Sequence, residues 1–392
     1  MKHFFLISML CIELCGFSQE LKVGIMRAYH LSAVRISHHE GNYTIASDST
    51  DVTTLIKGQS VYLRRRGKGI RIEKAGKSLG VYDTLFINKS DHNNSFSIQS
   101  VTPSSTKIKY YQGDLMITPS GEQEINVINL VSMENYLAGV IESEGGGGKH
   151  IEYYKVQAIL SRTYVLDHLY KHRKDGFSVC DQQHCQAYHS MLRFTPTIRK
   201  AVMETKGIIM LDENLNLASG FFFANCGGQT SESDFVWNNP VSYCQSIVDT
   251  FCVKSRQAKW TKKIKKSSWR AYLENHFGYP IQDSVYGDLI YTFQQKNRKA
   301  FYLSPHLGIP LRDLRMEFRL KSTWFDVRPE GDDVILEGRG FGHGVGLCQE
   351  GAMNMAKSGY TFEQILKFYF SRVKLFDYYH WLFLRQKEET GL

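Results

Sequence analysis

The chain has 392 residues, of which 42% are hydrophobic, 13% aromatic and 22% charged, long enough for two or three domains with a real core and balanced like an ordinary folded protein. Fibrous, disordered and membrane-bundle classes are excluded. Lys and Arg outnumber Asp and Glu by 48 to 39, a formal charge of +9, which favours polyanionic surroundings such as nucleic acid, anionic lipid or anionic wall polymer.

At the N-terminus, Lys2 and His3 precede the apolar run Phe4 to Leu14, and Gly16-Phe17-Ser18 offers small residues to a signal peptidase, so residues 1–18 are expected to be a signal peptide. No later stretch reaches the ~20 apolar residues of a membrane span. The mature chain is therefore expected to be exported, periplasmic or extracellular, with no transmembrane anchor. That setting disfavours nucleic acid as a partner and favours the cell wall.

Residues 19–118 read as a β-rich module of short half-buried strands at 21–25, 61–63, 70–72, 84–87 and 107–111, separated by turn residues. From Glu124 the texture changes to an apolar strand-like run followed by a long helical pattern. On that helix Ile151, Lys155, Ala158, Arg162, Val165 and Leu169 share one stripe at 100° per residue, which carries Arg162 into an apolar face. A buried guanidinium needs a carboxylate or several carbonyls. Residues 254–270 hold eight Lys or Arg and no acid, with Trp260 and Trp269 interleaved; a solvated basic face is the ordinary reading of such a run. Thr361 and Gln364 form a capping box after Gly359 closes the preceding helix. The expected class is α+β: the β-rich N-terminal module, a mixed α/β core over 119–253 and 326–392, and an inserted basic lobe over 254–325.

Several segments can carry chemistry. Glu142 and Glu144 end an apolar run immediately before the glycines 145–148, and a spacing of two turns them to opposite faces if extended. At most one of them is catalytic. Cys180, His184 and Cys185 lie within six residues, with His172 upstream and His189 just after; this is a soft-ligand set for zinc, while a Cys180–Cys185 disulfide or free thiols fit the same spacing. Glycine at every second position from Gly338 to Gly346 does not match a phosphate-binding fingerprint. It predicts a strand with one face stripped of side chains, open to close approach by another backbone or a polymer, with His343 on the opposite face.

Taken in order, Met133 to Glu144, Lys155 to Tyr164, Cys185-Gln186-Ala187-Tyr188, Ala224 to Thr230, Asp249-Thr250-Phe251-Cys252 and Gly340 to Gln349 closely resemble the stage II sporulation protein D family, which includes amidase enhancers. The resemblance implies a lytic transglycosylase acting on peptidoglycan glycan strands stripped of stem peptides, or a non-catalytic enhancer of a cell-wall amidase. It also implies that Glu144 rather than Glu142 is catalytic, with Arg162 beside it, and that Gln186, Tyr188, His343 and Gln349 bind substrate. Some members bind zinc through two Cys and two His, which implies a structural zinc on Cys180, His184, Cys185 and His172, with His189 the substitute for His172. Two departures stand out. Gly145 and Gly146 follow the glutamate where the family has Met-Pro, and Cys226 and Cys348 replace serines, a pair able to form a disulfide between core segments.

Overall fold

Alternation of apolar and polar residues after residue 20 places every second side chain on a buried face, and the described residues form twelve strands ahead of the helix that begins at Met133: β1 (Glu20–Ile25), β2 (Ala33–Glu40), β3 (Tyr43–Ser47), β4 (Thr50–Leu55), β5 (Ser60–Arg66), β6 (Gly69–Lys74), β7 (Lys77–Tyr82), β8 (Leu85–Lys89), β9 (Ser95–Thr102), β10 (Ile108–Gln112), β11 (Asp114–Ser120) and β12 (Glu124–Ser132). The computed structural model describes residues 20–48, 50–90 and 94–390. The expected signal peptide lies outside them. Among the described residues no helix is long and apolar enough to cross a membrane. Two compact units emerge, one formed by the described residues up to Gly139 with Tyr170–Met191, the other by Val140–Leu169 with the chain from Leu192 onward.

In the first unit the strands form two sheets. A short strand β13 (Val179–Cys180) joins the seven-stranded sheet, ordered β13-β1-β12-β11-β8-β3-β4, while the six-stranded sheet runs β10-β9-β2-β5-β6-β7. The sheets face one another through β5 and β6 on one side and β11 and β12 on the other. Val34, Ile36, Leu63, Ile72, Leu115 and Ile117 close the layer between them with no more than a trace of exposure. The central strand β12 is buried over most of its length, as expected of a strand covered on both faces. The α+β class holds, with the β-rich part at the N-terminal end.

In the second unit the organising element is helix α2 (Ile151–Asp167). It is buried around its circumference rather than along one stripe: Tyr153, Val156, Ile159, Leu160 and Thr163 are as inaccessible as Ala158 and Arg162, the pattern of a helix inside a core. Helix α3 (Pro196–Glu204) and the strand Ile208–Leu211 pack against it. The capping box is present, with the Thr361 N–H donating to Gln364 Oε1 at 2.9 Å and the Gln364 N–H to Thr361 Oγ1 at 3.4 Å.

Within the same unit, Trp260, Trp269, Tyr302, Leu314, Phe325 and Leu336 belong to a hydrophobic cluster of their own, built on a three-stranded sheet of Lys259–Lys265, Phe325–Glu330 and Asp333–Arg339. Both tryptophans of the basic run face inward, Trp269 Nε1 donating to the Ile290 carbonyl at 2.9 Å and Trp260 Nε1 to Ser322 Oγ at 3.2 Å. The lysines face outward, Lys263 and Lys265 pairing with Asp333 at 3.3 and 3.0 Å. The basic run is a solvated strand face whose aromatic residues serve the core.

The glycine-alternating segment is not a strand. Pairing stops at Arg339, and Gly340, Gly342, Gly344 and Gly346 all adopt positive φ, at 78°, 118°, 92° and 76°, a region that costs other residues energy. The expected bare strand face is therefore corrected to a winding loop. Close approach does occur, and the neighbour is the chain's own 221–225 segment: a Cβ on Gly346 would lie 2.3 Å from the Phe221 carbonyl oxygen, and one on Gly340 2.5 Å from that of Asn225.

Candidate functional site

Glu142 and Glu144 do not sit in an extended run. They occupy the last turn of helix α1 (Met133–Gly145), where positions two apart still diverge by about 200°. Glu142 is fully engaged, its Oε2 accepting from the Arg193 N–H at 2.8 Å and its Oε1 from the Phe194 N–H at 3.0 Å. That carboxylate pins the 193–194 backbone. Glu144 lies on another side of the helix, within electrostatic range of Tyr153 on α2.

Tyr153 is wholly buried. Its phenol sits beside the Gln349 amide and interacts with it, but at a geometry that leaves Tyr153 Oη and Gln349 Nε2 short of a well-formed hydrogen bond. Burial, reinforced by the Glu144 carboxylate, holds the phenol well above its usual range, so it remains a donor. Two buried polar atoms with unused capacity at one place are costly, on the order of 1–3 kcal/mol each, and such groups are accounted for by a ligand or an ordered water. Gln349 opens the helix Gln349–Lys357, directly after Cys348.

Arg162 is buried and bonded to carbonyls, Nη1 to that of Ile208 at 3.0 Å and Nη2 to that of Val202 at 3.4 Å. It holds the end of α3 and the strand that follows against α2. His343 has both ring nitrogens in use, Nε2 donating to the Phe222 carbonyl at 3.0 Å and Nδ1 accepting from the Val345 N–H at 3.1 Å, between the rings of Phe223 and Trp237. Burial, with the Arg315 and Arg298 guanidiniums adding to it, pushes its imidazole down to about 4.

The remaining expected site residues belong to the first unit. Gln186 is buried with Oε1 accepting from Tyr136 Oη at 3.3 Å, and Tyr188, also buried, donates to Asn129 Oδ1 at 3.2 Å. His172, Cys180, His184 and Cys185 form one group in which a ligand atom from each lies within 4.8 Å of the others. Cys185 Sγ is 3.5 Å from His172 Nε2, and His184 Nδ1 is 3.8 Å from both sulfurs. His172 Nδ1 lies 3.0 Å from Asp175 Oδ2, the arrangement by which a carboxylate orients a ligating imidazole. Asp181, buried between the two cysteines in sequence, accepts from the Met26 N–H at 2.7 Å and ties the loop to the sheet. His189 is outside the group, and Cys180 and Cys185 are free thiols. This donor set can hold a metal.

The family model described as Stage II sporulation protein matches residues 121–211. Stage II sporulation protein D of Bacillus subtilis is 27% identical over 260 residues, covering 62% of this chain and 74% of the relative. Over residues 121–211 the chain matches the stage II sporulation protein D family. An uncharacterized protein of Brachyspira hyodysenteriae is 29% identical over 275 residues, 69% of this chain and 73% of the relative, and the chain is also similar to the amidase enhancer of Bacillus subtilis, 26% identical over 295 residues that span 62% of this chain and 40% of the enhancer. The match to the family model includes Glu144, Tyr153, Arg162 and the Cys/His group, and stops before Cys226, His343 and Gln349.

Tyr153 was not legible as a site residue, since in sequence it is one more aromatic position on a buried helix. Only its depth beside Glu144 and Gln349 singles it out.

His343 makes stability depend on pH. The unfolded imidazole takes up a proton near its ordinary ~6.5, the folded one only near 4, so its contribution is complete above 6.5 and is lost as pH falls toward 4, at up to ~1.4 kcal/mol per pH unit. Urea unfolding at pH 7 and pH 5 is expected to show a larger loss for the wild type than for His343→Gln. Equal losses in the two proteins mean that the imidazole is not held neutral.

Proposed function

We propose that this chain is a peptidoglycan lytic transglycosylase that cleaves the bond between N-acetylmuramic acid and N-acetylglucosamine, with Glu144 as its single acid and base. The observation that carries this reading is what surrounds each glutamate: Glu142 is committed to the 193–194 backbone, and Glu144 lies in electrostatic range of Tyr153, which sits beside Gln349, two residues whose buried polar atoms have capacity for a ligand. Protonated Glu144 donates to the glycosidic oxygen as its bond to C1 breaks. The resulting carboxylate accepts the proton of the C6 hydroxyl as that oxygen bonds to C1, leaving a 1,6-anhydro end. An internal hydroxyl replaces water, so the second carboxylate of a hydrolytic glycosidase has no task, in keeping with Glu142 being engaged elsewhere.

Tyr153 and Gln349 act as donors to sugar oxygens beside the acid. His343, neutral and doubly bonded, shapes the 221–225 wall, and Arg162 is a positioning residue for α2 and α3. Gln186 and Tyr188 support the first unit's Cys/His loop from within. That loop holds a structural zinc on His172, Cys180, His184 and Cys185; four protein ligands leave no open position for water, so the metal supplies rigidity and takes no part in bond cleavage. The excess of positive charge suits an exported protein working on an anionic wall.

Mass spectrometry of products from purified, peptide-stripped glycan strands is expected to show anhydro-ended fragments. Glu144→Gln should lower the rate by ~10²–10⁴-fold, the usual worth of a general acid, while Glu142→Gln stays within about tenfold and loses stability through its two backbone bonds. No anhydro products from the wild type, together with stimulation of an added wall amidase, would instead mark a glycan-binding enhancer.

Tyr153→Phe is expected to leave thermal stability unchanged or higher, because it removes a buried hydroxyl with no partner, and yet to slow cleavage. A stability loss without a rate change would assign Tyr153 to the core alone. For the Cys/His group, metal analysis of protein purified under reducing conditions should show zinc that is lost in Cys180→Ser/Cys185→Ser; a Cys180–Cys185 disulfide in peptide maps of the exported protein would overturn the assignment.

A further inference from the structure

The second unit contains another group of soft ligands, assembled from three distant segments. Cys226, Asp249, Cys252 and Cys348 are all completely buried, and a ligand atom from each lies within 4.8 Å of the others. Cys226 Sγ is 3.2 Å from both Cys252 Sγ and Asp249 Oδ2. The expectation of a Cys226–Cys348 disulfide is not met: all three cysteines are free thiols.

We propose that Cys226, Cys252, Cys348 and Asp249 form a second, structural metal site for a thiophilic divalent ion, zinc being the natural occupant. Three sulfurs and one carboxylate make a closed four-ligand set of the kind such ions take. With metal–sulfur bonds of ~2.3 Å, tetrahedral ligation separates sulfurs by about 3.8 Å, which asks the Cys226 and Cys252 sulfurs to part by about 0.6 Å. A disulfide at ~2.05 Å asks them to close by about 1.2 Å and draws on neither Cys348 nor Asp249.

Backbone N–H groups are aimed at two of the three sulfurs. The Cys226 and Gly351 N–H groups donate to Cys348 Sγ at 3.2 and 3.3 Å, and the Gly228 N–H donates to Cys226 Sγ at 3.3 Å. Outer-shell donors of this sort fix and tune ligating thiolates. Tyr369 Oη donates to Asp249 Oδ2 at 2.9 Å. Residue 351 must be glycine for this packing, since a Cβ there would fall 2.2 Å from Tyr369 Oη and 2.4 Å from Asp249 Oδ2.

The independent observation is Arg298. Its guanidinium is buried and bonded to the carbonyls of Gln229 and Cys226, both at 2.7 Å, with Thr323 Oγ1 at 3.5 Å. No carboxylate pairs with it among the described residues, and it lies in electrostatic range of all three sulfurs. A buried cation without a counter-ion is costly. Three thiolates and a carboxylate around a divalent ion carry a net charge of −2, which places the missing negative charge where Arg298 faces it.

The site would staple the segment after Phe222–Phe223, the 249–252 turn and the start of the Gln349–Lys357 helix, and Cys348 is adjacent in sequence to Gln349, whose amide lies beside the Tyr153 phenol. The test is zinc stoichiometry by elemental analysis and native mass spectrometry on the mature chain purified with reductant and without chelator. Cys180→Ser/Cys185→Ser, which disables the first group, is expected to retain one equivalent of zinc, and Cys252→Ser to hold one equivalent less than the wild type. Cobalt in place of zinc in the double variant is expected to give thiolate charge-transfer and tetrahedral d–d bands. A double variant that is folded by near-ultraviolet circular dichroism but free of zinc overturns the proposal, as does a disulfide linking Cys226 to Cys252 or Cys348 in peptide maps of the exported protein. Should the double variant not fold, the difference between wild type and Cys252→Ser decides: a drop of one equivalent supports the site and no drop overturns it.

Discussion

Burying helix α2 on every side is the constraint from which the second unit follows. A helix with no solvent face must satisfy each polar side chain inside the protein, and α2 carries Arg162 and Thr163 at its centre. Arg162 takes the carbonyls of Val202 and Ile208, while Thr163 Oγ1 donates to the Ile159 carbonyl at 2.8 Å and accepts the Met210 N–H at 3.0 Å. These bonds fix where α3 ends and where the next strand begins. Within its first turn the same helix brings in Tyr153, whose hydroxyl it leaves without a bond, and it does so in electrostatic range of Glu144. The bonds of Arg162 and Thr163 serve the scaffold, whereas the Tyr153 hydroxyl keeps hydrogen-bonding capacity on the same element.

The two soft-ligand groups solve a related problem in segments that have little regular structure. The loop from Cys180 to Cys185 has a two-residue strand at its start and depends on Asp181 for its attachment to the sheet. The segments around Cys226, Cys252 and Cys348 are likewise short, joined by a two-residue parallel pairing of Phe222–Phe223 with Leu347–Cys348. Pairings so short contribute little cooperative stability by themselves, and in both places the buried side chains of these groups meet where backbone ladders do not extend.

The glycines between 340 and 346 show how one sequence pattern supports two readings. Alternation of period two is the signature of a strand, and a bare face is a fair deduction from it. Glycine is equally the residue for positive φ, and four such angles in seven residues convert the alternation into a loop that threads against 221–225. Local pattern cannot choose between the two uses, because the choice rests on the neighbour that the bare side meets.

Much of the fold was legible from the chain alone. Strands near 21–25, 61–63, 70–72, 84–87 and 107–111, the long helix after residue 150 and the Thr361 capping box are local signals of alternation, helical period and capping, and the structure has all of them. Arg162 on an apolar stripe announced a buried guanidinium in need of a carboxylate or several carbonyls, of which the structure supplies the carbonyls, and the grouping of Cys180, His184 and Cys185 announced a donor set. What tertiary structure decided was everything that needs long-range contact: that Glu142 is spent on the 193–194 backbone, that Tyr153 and Gln349, nearly two hundred residues apart, share one buried place, that Trp260 on the basic strand and Trp269 on the helix after it both turn inward, and that Cys252 and Asp249 join Cys226 and Cys348. Sequence period sets which face of an element is buried, but the partner on that face is set by the packing of the whole unit, and reactive geometry is a property of partners.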